Sequence, residues 1–201
     1  LLFECGGNNP VVVMPDADMG VAAREIIKGA FAYSGQRCTG IKYVLTTPAI
    51  REQLVTLVVK TMPEMVNAGD PRSPETKLVG PVISQDAAKR IEEAIVSSVK
   101  NGAKLMTGGK RTGAMIEPTV LTGVIPTMPI IAKETFGPVI SFVDIQSFDE
   151  AVDIINRSPY GLQASVFTKD EGSGLVFGKK LNVGSVQING SPQRGPDHFP
   201  F

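Results

Sequence analysis

VVVMPDADMGVAAREIIKGAFAYSGQRCTGIKYVLTT, residues 11–47, is the stretch that decides the fold. Its opening run, 11–14, is three valines and a methionine, the continuous apolar pattern of a strand buried on both faces. Pro15-Asp16-Ala17-Asp18 ends that run, and Asp18 can cap a helix predicted over about 19–32. At Tyr33-Ser34-Gly35 the helical periodicity stops and a turn is predicted. A second strand follows over 43–47. Strand, helix and strand in this order are the repeating unit of a parallel sheet.

Between that helix and the second strand stand an amide, a guanidinium and a thiol in succession, Gln36-Arg37-Cys38. A thiol on a Gly-flanked turn beside a fixed positive charge is placed where its thiolate is both favoured and reachable. Local sequence alone leaves a second reading open, in which Cys38 is a small buried hydrophobe, a common fate of a free cysteine.

The alternation continues along the chain. Pro48 suits the first position of a helix reaching about 65. Residues 67–81 hold three prolines and two glycines and read as a long surface loop. Ser84 caps a helix over 84–100, with Ala87, Ile91, Ala94, Ile95 and Val99 close to helical spacing, and Asn101-Gly102 stops it. Short strands are predicted near 104–107, 115–118, 120–124 and 140–145. Ser147 caps a helix ending near Arg157, and strands at 164–168 and 185–188 flank a helix at about 171–181. The expected architecture is α/β, a mainly parallel twisted sheet with helices on both faces, in one domain spanning 1–201. Glu4 and Cys38 both lie in segments leading into strands, and the sequence does not settle whether they meet.

Composition narrows the function. The 201 residues carry 20 Lys+Arg and 20 Asp+Glu, with no block of like charge, which argues against nucleic acid or an anionic membrane as partner. No apolar run reaches membrane-spanning length and no signal-peptide pattern opens the chain. Two cysteines, Cys5 and Cys38, make no disulfide framework, and with the single His198 they are too few soft ligands for a structural zinc site. A reduced, cytoplasmic setting fits. The Gly-rich run TGGKRTG, residues 107–113, matches neither a dinucleotide fingerprint nor a P-loop and reads as a surface turn.

Five segments in order carry a resemblance. GQRC around Cys38 resembles the nucleophile segment of the aldehyde dehydrogenase superfamily, and FECGGNNP, residues 3–10, its glutamate motif. KETFGPV, residues 133–139, resembles the cofactor-ribose motif. PYGLQASVFT, residues 159–168, and VGSVQIN, residues 183–189, resemble the late strands. AYSGQRC together with SPQRGPDHFPF, residues 191–201, is most similar to the non-phosphorylating glyceraldehyde-3-phosphate dehydrogenases. Two positions depart from the pattern: Cys5 stands where Leu is usual and Asn8 where Lys is usual.

The resemblance implies a function and a set of roles. Cys38 would be the nucleophile and Glu4 the general base, with the Cys38 backbone N–H as one oxyanion donor. Glu134 and Phe136 would contact the nicotinamide ribose and ring of NADP or NAD, and the Cys5 carbonyl would face the carboxamide. Arg37 and Arg194 would bind a substrate phosphate, since guanidinium groups bind phosphate through paired hydrogen bonds. Without the resemblance Glu4 is a solvated carboxylate, Glu134 an exposed loop charge, Phe136 a core aromatic and both arginines surface residues. His198 is read as structural. The chain has no initiator Met and starts within an apolar run, so the resemblance implies a catalytic domain whose Rossmann-type cofactor domain and C-terminal tail lie outside it. The full-length protein would be a homo-oligomer acting on a small aldehyde in glycolysis. The alternatives are a dehydrogenase of another small aldehyde, or an inactive fragment serving as a folded or assembly module.

Overall fold

Three consecutive valines supply side chains to both sides of one strand, and the molecule is layered around that requirement. In the computed structural model, which describes residues 6–192, Val12 joins one hydrophobic core while Val11 and Val13 join another. Their strand, β1 (Asn9–Val13), is buried along its whole length. Asp18 then accepts from the Gly20 and Val21 N–H groups at 2.9 and 3.0 Å and starts α1 (Met19–Phe31), satisfying donors that the first turn leaves without partners. β2 (Ile41–Thr46) lies beside β1 and parallel to it. α2 (Pro48–Met65) opens on Pro48, whose missing N–H costs no helical bond there.

The stretch 67–81 is not simply a loop. β3 (Asn67–Ala68) and β4 (Leu78–Val79) pair within it as a small parallel sheet. The Asn67 N–H donates to the Lys77 carbonyl at 3.1 Å and the Gly69 N–H to the Val79 carbonyl at 3.0 Å. The Asn67 side chain reinforces the pairing, donating to the Glu75 carbonyl at 2.8 Å and accepting from the Lys77 N–H at 2.6 Å. These bonds link residues eight and ten apart, beyond the reach of the proline and glycine signals that suggest a loop.

α3 (Gln85–Lys100) is capped by Ser84, whose Oγ accepts from the Ala87 N–H at 3.1 Å. After it come β5 (Lys104–Thr107), a hairpin of β6 (Arg111–Thr112) and β7 (Met115–Ile116), and β8 (Thr119–Thr122). α4 (Pro129–Ala132) is a single turn, too short to show helical periodicity in the sequence. β9 (Val139–Asp144), α5 (Phe148–Asn156), β10 (Gln163–Phe167), α6 (Glu171–Gly178) and β11 (Ser185–Ile188) complete the described chain.

The seven-stranded sheet has the order β11-β10-β1-β2-β9-β8-β5. All its neighbours run parallel except the antiparallel edge pair β5–β8. α1 and α2 pack Ile26, Ile27, Leu54 and Val58 against one face. α3, α4, α5 and α6 pack Ile91, Ile130, Ile155 and Phe177 against the other. This is the predicted α/β architecture with helices on both faces. Its consequence for function is positional. β1, β2 and β9 are central neighbours running the same way, so the segments that enter them emerge at one edge of the sheet. Among the described residues no helix is long and apolar enough to cross a membrane, and none of their His, Cys, Asp or Glu clusters could hold a metal ion.

Candidate active site

Ligands of open parallel sheets usually bind beyond the carboxyl ends of the strands. Here the chemistry-bearing residues gather at the amino ends instead. Gly6 and Gly7 precede β1, Cys38 precedes β2, Glu134 and Phe136 precede β9, and Tyr160 precedes β10. The order β10-β1-β2-β9 sets these four entries side by side.

The Cys38 segment begins where α1 cannot continue. Tyr33, Ser34 and Gly35 all have positive φ, at 54°, 59° and 67°. For residues with a Cβ that conformation is disfavoured by about 1–2 kcal/mol each. Bonds from distant elements offset the cost. Ser34 Oγ donates to the Gly80 carbonyl and accepts from the Gly80 N–H, both at 2.9 Å. Gln36 Oε1 accepts from the Ile83 N–H at 2.8 Å. Gly35 is required here for a second reason, since a Cβ would stand 2.1 Å from the Gly137 carbonyl oxygen. The Cys38 segment and the segment entering β9 therefore touch backbone to backbone.

Asn9 fixes the other end of that segment. Its Nδ2 donates to the Cys38 carbonyl at 2.7 Å and to the Gly40 carbonyl at 2.8 Å, while its Oδ1 accepts from the Gln163 N–H at 3.1 Å. Gly7 presses on the same place, because a Cβ on it would sit 1.9 Å from the Cys38 oxygen. The Gly7 N–H donates to Glu134 Oε1 at 3.1 Å, and the Glu134 N–H donates to the Tyr160 hydroxyl at 3.1 Å. The entries to β1, β9 and β10 are thus bonded to one another around Cys38, which is itself a free, half-buried thiol.

Phe136 is not the core aromatic that the bare sequence suggests. Its ring is 43% exposed and stands between two open clefts. One, of about 460 Å³, is lined by Ile91, Lys133, Glu134 and Thr135; the other, of about 830 Å³, by Tyr33, Gln36, Leu78 and Ile83. Arg37 donates to Thr39 Oγ1 at 3.0 Å and lies 5.6 Å from the centroid of the exposed Tyr33 ring. Glu4, Cys5, Arg194 and His198 lie outside the described residues.

Two participants escape a sequence reading, Asn9 and Lys42. Lys42 sits inside β2 and is 2% exposed. Burial pushes its ammonium down to about 8, against the pull of Glu134 and Cys38, with Arg37 adding to the fall. The available signal was a charge within the strand-forming run IKYVLTT, a conflict between local chemistry and burial that marks functional positions. Asn9 carried a weaker signal, an amide opening a strand otherwise read as apolar.

Comparison with known proteins finds relatives that align with the whole chain. The model of the aldehyde dehydrogenase family matches residues 1–201. An NADP-dependent glyceraldehyde-3-phosphate dehydrogenase of Arabidopsis thaliana is 40% identical over 201 residues, all of this chain and 40% of the relative. A sulfoacetaldehyde dehydrogenase of Neptuniibacter caesariensis is 38% identical over the whole chain and 44% of the relative. Among solved structures, NADP-dependent glyceraldehyde-3-phosphate dehydrogenase from Bacillus halodurans C-125, complexed with NADP, superimposes with a TM-score of 0.93 at 42% identity. That match covers 98% of this chain and 41% of the other. The chain thus spans about two fifths of the length of these relatives.

Proposed function

We infer the function from one premise: this chain belongs to the aldehyde dehydrogenase family. The proposal is that the full-length protein oxidises an aldehyde bearing an anionic group, glyceraldehyde 3-phosphate above others, to the acid with NADP or NAD. The single observation that carries it is the meeting of the Gly7, Cys38 and Glu134 segments at the amino ends of adjacent parallel strands.

In this reading the Cys38 thiolate attacks the aldehyde carbon, and the developing oxyanion receives the Cys38 backbone N–H. The adduct on Cys38 collapses to a thioester as it expels hydride, for which NADP or NAD, held by Glu134, Phe136 and the Cys5 carbonyl, would supply the acceptor. Glu4 takes a proton from the water that hydrolyses the thioester. One residue, Cys5, separates Glu4 from Gly6, and Gly6 lies so near Glu134 that a Cβ would stand 2.5 Å from its Oε2.

The residues at hand fit a nicotinamide cofactor. Glu134 spends one oxygen on the Gly7 N–H, and a carboxylate has further lone pairs for a ribose diol. The exposed Phe136 ring offers an apolar face beside it. The Cys5 carbonyl would take the carboxamide.

Arg37 and Arg194 hold the substrate anion in this proposal. One of Arg37's donors is on Thr39, which leaves the rest of its fork for a phosphate. The two relatives named above act, by their names, on aldehydes that carry a phosphate and a sulfonate, and a tetrahedral oxyanion is common to both. Specificity constants of the full-length protein for glyceraldehyde 3-phosphate, sulfoacetaldehyde and an uncharged short aldehyde test the reading. The phosphate ester is expected to lead by at least roughly tenfold. Equal use of all three aldehydes would contradict it.

A further inference from the structure

Lys42 is an extra residue in its strand. Asn9 pairs with Ile41 and Pro10 with Tyr43, so β2 bulges at Lys42 against β1. Bulges redirect side chains and concentrate beside active sites. The bulged Lys42 side chain is buried, and its Nζ donates to the Gly35 carbonyl at 2.5 Å. Nζ also lies 5.4 Å from the centroid of the Phe136 ring, over its face. A Cβ on Gly40 would come within 3.3 Å of the same atom. One ammonium therefore touches both ends of the Cys38 segment and the ridge between the two clefts.

Lysine is almost never buried to this degree without a bonded counter-charge. Here Nζ bonds to a neutral carbonyl, and the charged and titratable groups facing it act through space. They are Glu134 from the segment entering β9, and Cys38 and Arg37 from the segment entering β2. Asn9, on β1, is neutral. A cation kept in this position costs stability, and Cys38 is among the groups on which its charge acts.

We propose that Lys42 is a positioning residue: a buried cation that fixes the Cys38 segment against the Phe136 ridge and adds positive potential at the Cys38 sulfur. The inference rests on reading Cys38 as the nucleophile, and it is independent of which aldehyde the protein uses. Because burial brings the Lys42 ammonium down to about 8, the added potential fades as the pH rises through that value.

The test compares alkylation of Cys38 in the full-length protein by iodoacetate, an anion, and iodoacetamide, which is neutral, with the product located by peptide mass mapping. Both reagents attack the same thiolate, so the ratio of their rates cancels thiolate fraction and loop exposure and reports local potential. In the wild-type protein the iodoacetate-to-iodoacetamide ratio should fall roughly threefold or more between about pH 7 and about pH 9. Lys42→Met should show the low ratio throughout, and Lys42→Arg a high ratio that does not fall. A wild-type ratio flat with pH would overturn the proposal, and that series needs no variant to fold. Equal loss of both rates in Lys42→Met, at an unchanged ratio, would leave Lys42 a mere strut and also overturn it. Turnover surviving in Cys38→Ser would refute the nucleophile reading separately, since the alkylation ratio does not depend on turnover.

Discussion

Asn9 Nδ2 donates to the carbonyl of Cys38 at 2.7 Å, joining the first residue of one central strand to the candidate nucleophile that leads into the next. The same amide holds Gly40 and Gln163, so one side chain ties together the entries to three neighbouring strands.

Asn9→Ala removes these partners and leaves buried backbone groups unsatisfied, each at about 1–3 kcal/mol. A loss of about 3 kcal/mol is expected, or a Tm lower by roughly 5–10 °C in thermal denaturation of a chain this size. Turnover should fall further than the folded fraction does, since the Cys38 segment loses its anchor. A Tm within about 1 °C of wild type would show that the amide is not needed.

Gly35→Ala tests the contact between the Cys38 segment and the segment entering β9. The backbone at Gly35 has φ 67°, and a Cβ would meet the Gly137 oxygen at 2.1 Å. Strain and displacement together should cost roughly 2 kcal/mol or more. Because Gly137 follows Phe136, the KM for the nicotinamide cofactor should rise as well. An unchanged Tm and KM would mean that the two segments are not coupled.

Lys42 makes stability depend on pH with a definite sign. Its folded value, about 8, lies below the ordinary 10.5. Between those values the unfolded chain holds more protons, so stability rises with pH across that window. Below it both states are protonated and the full cost of burying the ammonium is present. Relative to Lys42→Met, the wild-type protein should gain about 2 kcal/mol of unfolding free energy between about pH 7 and about pH 10. Urea denaturation of both at the two pH values measures the difference. A constant gap would show that Lys42 does not titrate in that window.

Much of this fold is legible in the sequence because its causes are local. Val11, Val12 and Val13 announce a strand covered on both faces, and Asp18, Ser84 and Ser147 announce the helix starts that they in fact cap. What escapes depends on partners far along the chain. The β3–β4 pair rests on bonds between Asn67 and residues eight and ten positions on, and α4 is a single turn. Cys38 and Glu134 could be singled out by motif, and Arg37 by its neighbour. Lys42 and Asn9 leave only a polar residue in or beside a strand-forming run, because their roles come from a bulge and from strand order, which no single segment encodes.

Arg194→Ala addresses the anion site. If Arg194 pairs with the substrate phosphate, its loss removes a charge-assisted bond of about 1.5–3 kcal/mol. The specificity constant for glyceraldehyde 3-phosphate should drop by roughly one to two orders of magnitude, with an uncharged short aldehyde hardly affected. Arg37→Ala is less clean, because its charge also lies near Cys38. Equal losses for both aldehydes would assign Arg194 to the fold.

The central claim is that Cys38 carries the acyl group and Glu4 activates the water that releases it. Rapid mixing of full-length Glu4→Gln with aldehyde and cofactor measures both at once. The amide cannot take the proton, so a burst of reduced cofactor should outrun the steady state, and quenched samples should carry an acyl group on the peptide containing Cys38. Steady-state turnover equal to wild type, or an acyl group on another residue, would contradict the account.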